Sequence, residues 1–373
     1  MIAFDSNLAQ RVIFGENSIE KLAESTITLG GSRVLLVTDP GIEEAGILKR
    51  AYSSLNSEKI TCYIFIGVEP NPTEKHVRAA VDFAKANAPI DLIIGLGGGS
   101  AMDCAKGANF ILTNGGKMED YWGTNKATKR MLPSIGVPTT IGTGSEAQSF
   151  ALISQEDSHI KMACGDKKAQ FHTVILDPTL TETLPSSVAA ATGIDAIAHA
   201  IESYVSTRHN AMSQMFSQQA WKLLNANFES AITKENYHAR GKMLFGAYLA
   251  GVAIENSMLG AAHACANPLT ARYNITHGIA VALMLPHVIR FNRNIVGESY
   301  NELYSDGDLA NRIEELMKIG DIPNTLQACS VQHQGNTTDI PALANEASVQ
   351  WTAQFNPRPL AIHNLIRLYE QIF

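Results

Sequence analysis

Asp195 and His199 stand four residues apart in the run TGIDAIAHAIESY. On an α-helix that spacing stacks two side chains on one face, where a hard carboxylate and an imidazole can share a divalent cation. Farther on, GAAHACANPLTARYNITHG supplies His263 on a helix and His277 just after a loop. One carboxylate with three imidazoles suits Fe²⁺ or Zn²⁺ and not Mg²⁺ or Ca²⁺. A single histidine is ordinarily a hydrogen-bonded core or surface residue. Four matched positions on apolar helices weigh against that for this set, and the alanines around them (Ala196, Ala198, Ala200; Ala261, Ala262, Ala264) let helices approach closely. His76, His159, His172, His209, His238, His287, His333 and His363 lack such partners and read as structural or surface residues.

A second chemistry lies in GLGGGS, Gly95 to Ser100. It follows an expected strand, Asp91–Ile94, and precedes a helix expected from about Ala101. Successive glycines let backbone amides approach a pyrophosphate, and a helix N-terminus adds the positive end of its dipole. Ser100 is expected to cap that helix. A tight turn without a ligand is the alternative. GTGSEA, Gly142 to Ala147, matches G-x-G-x-x-A literally, but no strand with a terminal acidic residue follows about 20 residues on. PTTIGTGSE therefore reads as a polar loop offering the hydroxyls of Thr139, Thr140, Thr143 and Ser145. Asp39 ends a strand from Arg33. An acidic residue there can take the hydroxyls of an adenosine ribose and repel a 2′-phosphate, favouring NAD over NADP. A helix cap or a solvated carboxylate is the alternative.

The elements that must position these groups change character along the chain. Arg33–Asp39, Ile60–Val68, Asp91–Ile94 and a strand offered by SIGVPTTIGTGSE alternate with helical stretches such as Glu74–Ala88, which predicts βαβ units and a parallel sheet. From about Leu184, Ser187–Thr207, Ala211–Asn225 and Ala239–Ala266 show helical periodicity. The reading is an α/β domain over 1–185 and an all-helical domain over 186–373. The Gly-Asn-Thr-Thr run near 335 reads as a loop.

Composition narrows the classes. The 373 residues are 45% hydrophobic and 17% charged, with a formal net charge of −7, which excludes wholesale disorder and disfavours nucleic acid as a main ligand. No run reaches the roughly 18 apolar residues of a membrane span, and the N-terminus lacks a signal-peptide pattern. Five scattered cysteines, none spaced CxxC, suit reduced thiols of a cytoplasmic protein.

Together these motifs resemble the iron-containing (group III) alcohol dehydrogenase family over nearly the whole length. The matching stretches are QRVIFGENSIEKL, PNPT, GLGGGSAMDCAK, PTTIGTGSE, ILDPTL, ATGIDAIAHAIESY, the His263–His277 segment with HGIAVALMLPHVIRFN, and NPRPL. The resemblance implies a Rossmann-like dinucleotide-binding domain, a helical metal-binding domain of dehydroquinate synthase-like architecture, and an active site in the cleft between them. It assigns the metal, iron with zinc as the alternative, to Asp195, His199, His263 and His277. It assigns the pyrophosphate to Gly97, Gly98 and Ser100, with Asp103 and Lys106 following, and it sets Thr139, Thr140, Thr143 and Ser145 near the cofactor. Asp39 and Asn71 fall at its adenosine end and Lys161 near the nicotinamide ribose. Phe150 and Ile254 are expected to line an apolar substrate pocket, while Glu255 reads as a helix-surface charge.

Where close relatives often carry a further histidine, this chain has Asn267. An amide can orient a substrate hydroxyl but does not titrate near neutral pH. The implied activity is hydride transfer between NAD(H) and a small or medium alcohol or aldehyde, by a homodimer. Two enzymatic alternatives share the architecture: a metal-free maleylacetate reductase, against which four intact ligands argue, and a dehydroquinate synthase, which would carry Glu in place of Asp195. A catalytically idle metal- or nucleotide-binding relative is the alternative from another class.

Overall fold

The computed structural model describes residues 4, 6, 10–158, 160–233, 236–329 and 339–373. His159, His333 and the loop near 335 lie outside them. Two compact units result: Asn7–Thr183, and Leu184–Phe373 together with Phe4 and Ser6.

In the first unit, six parallel strands form one sheet: β1 (Arg11–Phe14), β2 (Arg33–Val37), β3 (Thr61–Phe65), β4 (Leu92–Gly97), β6 (Ser134–Pro138) and β9 (Thr173–Leu176). Their spatial order is β1-β9-β6-β4-β2-β3. β5 (Gly123–Thr124), β7 (Phe150–Ser154) and β8 (Lys161–Gly165) make a separate small sheet. The connecting helices are α1 (Leu22–Thr28), α2 (Pro40–Glu44), α3 (Ile47–Ser57), α4 (Glu74–Ala86) and α5 (Gly99–Asn114).

β2, β4 and β6 are buried almost throughout, which is why they read as continuous apolar runs, as strands covered on both faces do. Their inward side chains, among them Val34, Leu36, Ile94, Leu96 and Ile135, pack with Leu48, Ala51 and Leu55 of α3 in one core. Along this sheet the winding reverses between β2 and β4. Asp39 and Gly97 therefore sit at the carboxyl ends of the two strands that flank the switch point, the place where open α/β sheets bind ligands.

The second unit is helical: α6 (Ser186–Val205), α7 (Ala211–Thr233), α8 (Tyr237–Glu255), α9 (Ala261–Tyr273), α10 (His277–Leu303, kinked at Val296), α11 (Leu309–Ile319), α12 (Ile340–Ser348) and α13 (Ile362–Tyr369). The expected continuous helix over Ala239–Ala266 is two, broken after Glu255. The segment Asn256–Gly260 carries Ser257 and Gly260, both poor at sustaining a helix. From Ala189 to Val205 every α6 residue except Thr192 is buried, so α6 is the centre of this unit. Three ionisable groups on it, Asp195, His199 and Glu202, are consequently buried and must find partners.

Candidate metal centre and glycine turn

Three helix segments carry the four expected ligands. Asp195 and His199 lie one turn apart on α6. His263 is the third residue of α9, and His277 is the first residue of α10. The link between α9 and α10 is short: Asn274 ends α9 in the left-handed conformation (φ 51°), a common helix terminus. α10 then starts directly against α6, because a Cβ on Gly278 would lie 2.2 Å from the Ala191 carbonyl oxygen. Only glycine allows that approach, and it is what sets His277 beside the Asp195 face.

Asp195 Oδ1 stands 3.4 Å from His199 Nε2 and 3.2 Å from His263 Nε2. One ligating atom each of Asp195, His263 and His277 fall within 4.8 Å of one another. The His199 and His263 rings stack at 4.8 Å between centroids, and the His263 and His277 rings lie 5.5 Å apart. Asp195, His199 and His263 are each 5% exposed or less, whereas His277 is half-buried.

Burial opposes ionisation of Asp195, but the imidazoles of His199, His263 and His277 more than offset it and hold the carboxyl well below the usual carboxylate range. Burial likewise disfavours a charged His263, and the Asp195 and Glu202 carboxylates overcome it, lifting this imidazole to about 9. The cluster thus holds the Asp195 carboxylate against a His263 imidazole that prefers to carry a positive charge. A divalent cation suits it: a buried carboxylate with three converging imidazoles is an iron- or zinc-type donor set.

Glu202 completes the arrangement, and the sequence reading passed over it. One turn beyond His199 on α6, it accepts from His263 Nδ1 at 2.6 Å and from the Ala262 amide at 2.7 Å. Asp195, His199 and Glu202 form an i, i+4, i+7 stripe, so the signal was present. Asn267, one turn past His263 on α9, donates from Nδ2 to Gln350 Oε1 at 3.0 Å. Ile254 is buried at the end of α8 and Glu255 half-buried.

In the α/β unit, β4 ends at Gly97 with φ +143°, where a Cβ would also come within 2.9 Å of Ala101 Cβ and 3.0 Å of Asp39 Oδ2. The helix begins two residues earlier than expected, at Gly99, with Gly98 as its N-cap and no side chain capping it. Ser100 is therefore in the first turn and is not the cap. Asp39 does cap a helix: its Oδ1 accepts from the Ile42 amide at 3.1 Å at the start of α2, while Oδ2 faces Gly97. Burial pushes its carboxyl upward against the amides of Ile42 and Gly41.

The PTTIGTGSE segment folds against the turn as a loop with no helix of its own, as its polar reading requires. The Thr139 amide donates to the Gly97 carbonyl at 3.0 Å. Thr140 and Thr143 lie so close to Gly98 and Gly99 that a Cβ on either glycine would meet them at 3.2 and 3.1 Å. The buried Thr140 hydroxyl has no hydrogen-bond partner among the described residues, a condition that a bound polar ligand would relieve.

Three other expected cofactor residues bind one another. Ser145 Oγ donates to Asp103 Oδ1 at 2.6 Å. The Lys106 ammonium donates to Ser145 O and Oγ, both at 2.9 Å, to Gln148 O at 3.2 Å and to Phe150 O, bolting the loop to α5. Burial raises the Asp103 carboxyl against the pull of Lys106 and Lys161. Lys161 opens β8. Asn71 sits at φ +53° in the turn before α4, anchored where the Ser154 amide donates to the Pro72 carbonyl at 2.9 Å. Phe150 is buried in β7. Several remaining histidines do local work: His76 accepts from the Thr73 amide at the start of α4, and His172 from the Ser134 amide.

Comparison with known proteins places the chain in a family. A model of the family described as iron-containing alcohol dehydrogenase matches residues 9–178, and the model of its C-terminal domain matches residues 189–373. Alcohol dehydrogenase 4 of Schizosaccharomyces pombe is 39% identical over 75% of this chain and 66% of its own length. The NAD-dependent methanol dehydrogenase of Bacillus methanolicus is 30% identical over 95% of this chain and 96% of its own. The crystal structure of a 1,3-propanediol oxidoreductase superposes over all of both chains with a TM-score of 0.95 at 31% identity.

Proposed function

Because this chain belongs to the iron-containing alcohol dehydrogenase family, we propose that it moves hydride between a small or medium alcohol and NAD, with Fe²⁺ as the metal and Zn²⁺ as the alternative. The observation that carries this reading is the meeting of Asp195 with His199, His263 and His277 in a buried cluster.

A divalent ion in that cluster would supply Lewis acidity, lowering the pKa of an alcohol hydroxyl or polarising a carbonyl. The chain's own residues do the rest. Asp195 contributes a full negative charge, and the three imidazoles would bind as neutral donors. The amides at the start of α5 offer the pyrophosphate site, and Thr140 offers a hydroxyl. Asp39, beside Gly97 at the switch point, takes the adenosine ribose and repels a 2′-phosphate, hence NAD over NADP. Asn267 orients the substrate hydroxyl and, being an amide, does not titrate near neutral pH, so the proton leaves by water, the surroundings of His277 or the cofactor ribose hydroxyls.

A cytoplasmic homodimer belongs to the same reading. Five free cysteines suit a reducing compartment, and the open edge strand β1, with Val12 and Phe14 exposed, offers a surface for a second copy.

The test is absorbance of NADH with a panel of short alcohols and aldehydes, assayed without air and with added Fe²⁺. The reading expects turnover that stops on chelation and returns with Fe²⁺, and a marked preference for NAD. Turnover untouched by exhaustive chelation would contradict it.

A further inference from the structure

We propose that Glu202 is a positioning residue that selects the tautomer of His263, and that it can do so because the same carboxylate caps helix α9. The inference rests on the metal-centre reading above and adds a residue to it. Both oxygens of Glu202 are spent on consecutive residues of the first turn of α9: Oε1 accepts from the Ala262 amide at 2.7 Å and Oε2 meets His263 Nδ1 at 2.6 Å. The side chain is 4% exposed, so both contacts are made in the protein interior. An ionised carboxylate only accepts hydrogen bonds. His263 therefore keeps a proton on Nδ1, and Nε2, which meets Asp195 Oδ1 at 3.2 Å without an ion, is the nitrogen that would bind one.

The rest of the α9 terminus separates this role from plain capping. Gly260, the residue at the N-cap, supplies no side chain, and a Cβ there would crowd both Asn356 Oδ1 and Glu202 Oε1. The Ala261 amide is taken by Asn356 Oδ1 at 3.2 Å. Asn356 is itself held by a reciprocal amide pair with Asn292, at 3.0 and 2.8 Å. Asn356, from the NPRPL run, thus caps α9 without touching the imidazole, whereas Glu202 caps and orients at once. The two can be tested against each other.

Glu202→Gln keeps size and shape but not the two acceptors. If its carbonyl takes the Ala262 amide, its NH₂ faces Nδ1 and demands a lone pair there, which moves the proton to Nε2 and blocks ligation. If it flips, the Ala262 amide loses its acceptor. Asn356→Ala removes the cap and the pair with Asn292 but leaves the Glu202–His263 contact in place.

The experiment measures Zn²⁺ affinity of the full metal-free chain by competition with a chromophoric chelator, for wild type and both variants. Nitrogen-15 NMR of histidine-labelled, zinc-loaded wild type accompanies it. The expected results are a loss of about 10–100-fold in affinity for Glu202→Gln and a smaller loss for Asn356→Ala even where its melting temperature falls further. In the wild-type spectrum His263 should carry its proton on Nδ1.

Equal weakening by the two variants would make Glu202 a cap and nothing more, and wild-type affinity in Glu202→Gln would overturn the proposal outright. So would a wild-type spectrum with no proton on Nδ1, a result that needs neither variant to fold. A wild type that binds no divalent cation at all would instead remove the metal-centre reading on which the inference stands.

Discussion

The first turn of α10 touches α6 backbone to backbone: a Cβ on Gly278 would lie 2.2 Å from the carbonyl oxygen of Ala191. No rotamer change relieves a clash with a main-chain carbonyl, so Gly278→Ala must push the two helices apart. His277, the residue before, would be withdrawn from the Asp195 face. We expect this single methyl group to cost at least tenfold in divalent-metal affinity, together with the 1–3 kcal/mol or so typical of overpacking. Isothermal titration with Zn²⁺ beside thermal unfolding of the metal-free protein checks both. Unchanged affinity would mean that this contact does not set the position of His277.

Asp39 caps α2 and, on the proposed function, also repels a 2′-phosphate; one substitution separates the two. Asn caps a helix about as well as Asp, so Asp39→Asn should leave α2 and the melting temperature almost unaltered. It removes the negative charge beside Gly97. The ratio of kcat/KM for NADP to that for NAD should rise by about tenfold or more, since removing one like-charge repulsion of about 1.4 kcal/mol accounts for that factor. An unchanged ratio would assign Asp39 to capping alone.

Glu146 follows Ser145 in the loop that covers the glycine turn. Its carboxyl is almost wholly buried, Oε1 has no hydrogen-bond partner among the described residues, and burial pushes its pKa up to about 7. In the unfolded chain the same group titrates near 4.5. The folded state therefore holds the proton more tightly, and stability falls as pH rises from about 4.5 through about 7. Glu146→Gln is neutral at every pH. Relative to wild type, it should be similar in stability at pH 5 and more stable at pH 8, by up to about 3 kcal/mol at the linkage value of about 1.4 kcal/mol per pK unit. Urea unfolding at the two pH values tests this. A difference that does not change with pH would contradict it.

How far these features could be read from residues follows from the range of the interactions behind them. β2, β4 and β6 were legible because a buried parallel strand is a continuous apolar run, and the half-buried edge strand β3 through its β-branched and aromatic residues Thr61, Tyr63, Ile64 and Phe65. β1 and β9 escaped because each has only four residues, and most of β1 is exposed. The glycine turn and the Asp195–His199 pair are local patterns, fixed by one strand end and one helix turn, and they stand where expected. The start of α5 was misplaced by two residues because Gly98, a weak capping residue, took the cap in place of Ser100.

Other features depend on tertiary contacts that no local window contains. Asn356 caps α9 from a distant loop. Asp103, Lys106 and Ser145 hydrogen-bond among themselves, although the family resemblance set them near a cofactor. Glu202 lies between these cases. Its helical stripe was visible, but its partner His263 belongs to another helix.

The central claim is that one divalent ion sits among four side chains. Its most direct test is a crystal of the iron-loaded protein measured on both sides of the iron absorption edge. The account predicts a single anomalous peak bounded by Asp195, His199, His263 and His277. A peak held by other residues, or none in crystals whose dissolved protein turns over alcohol, would contradict it.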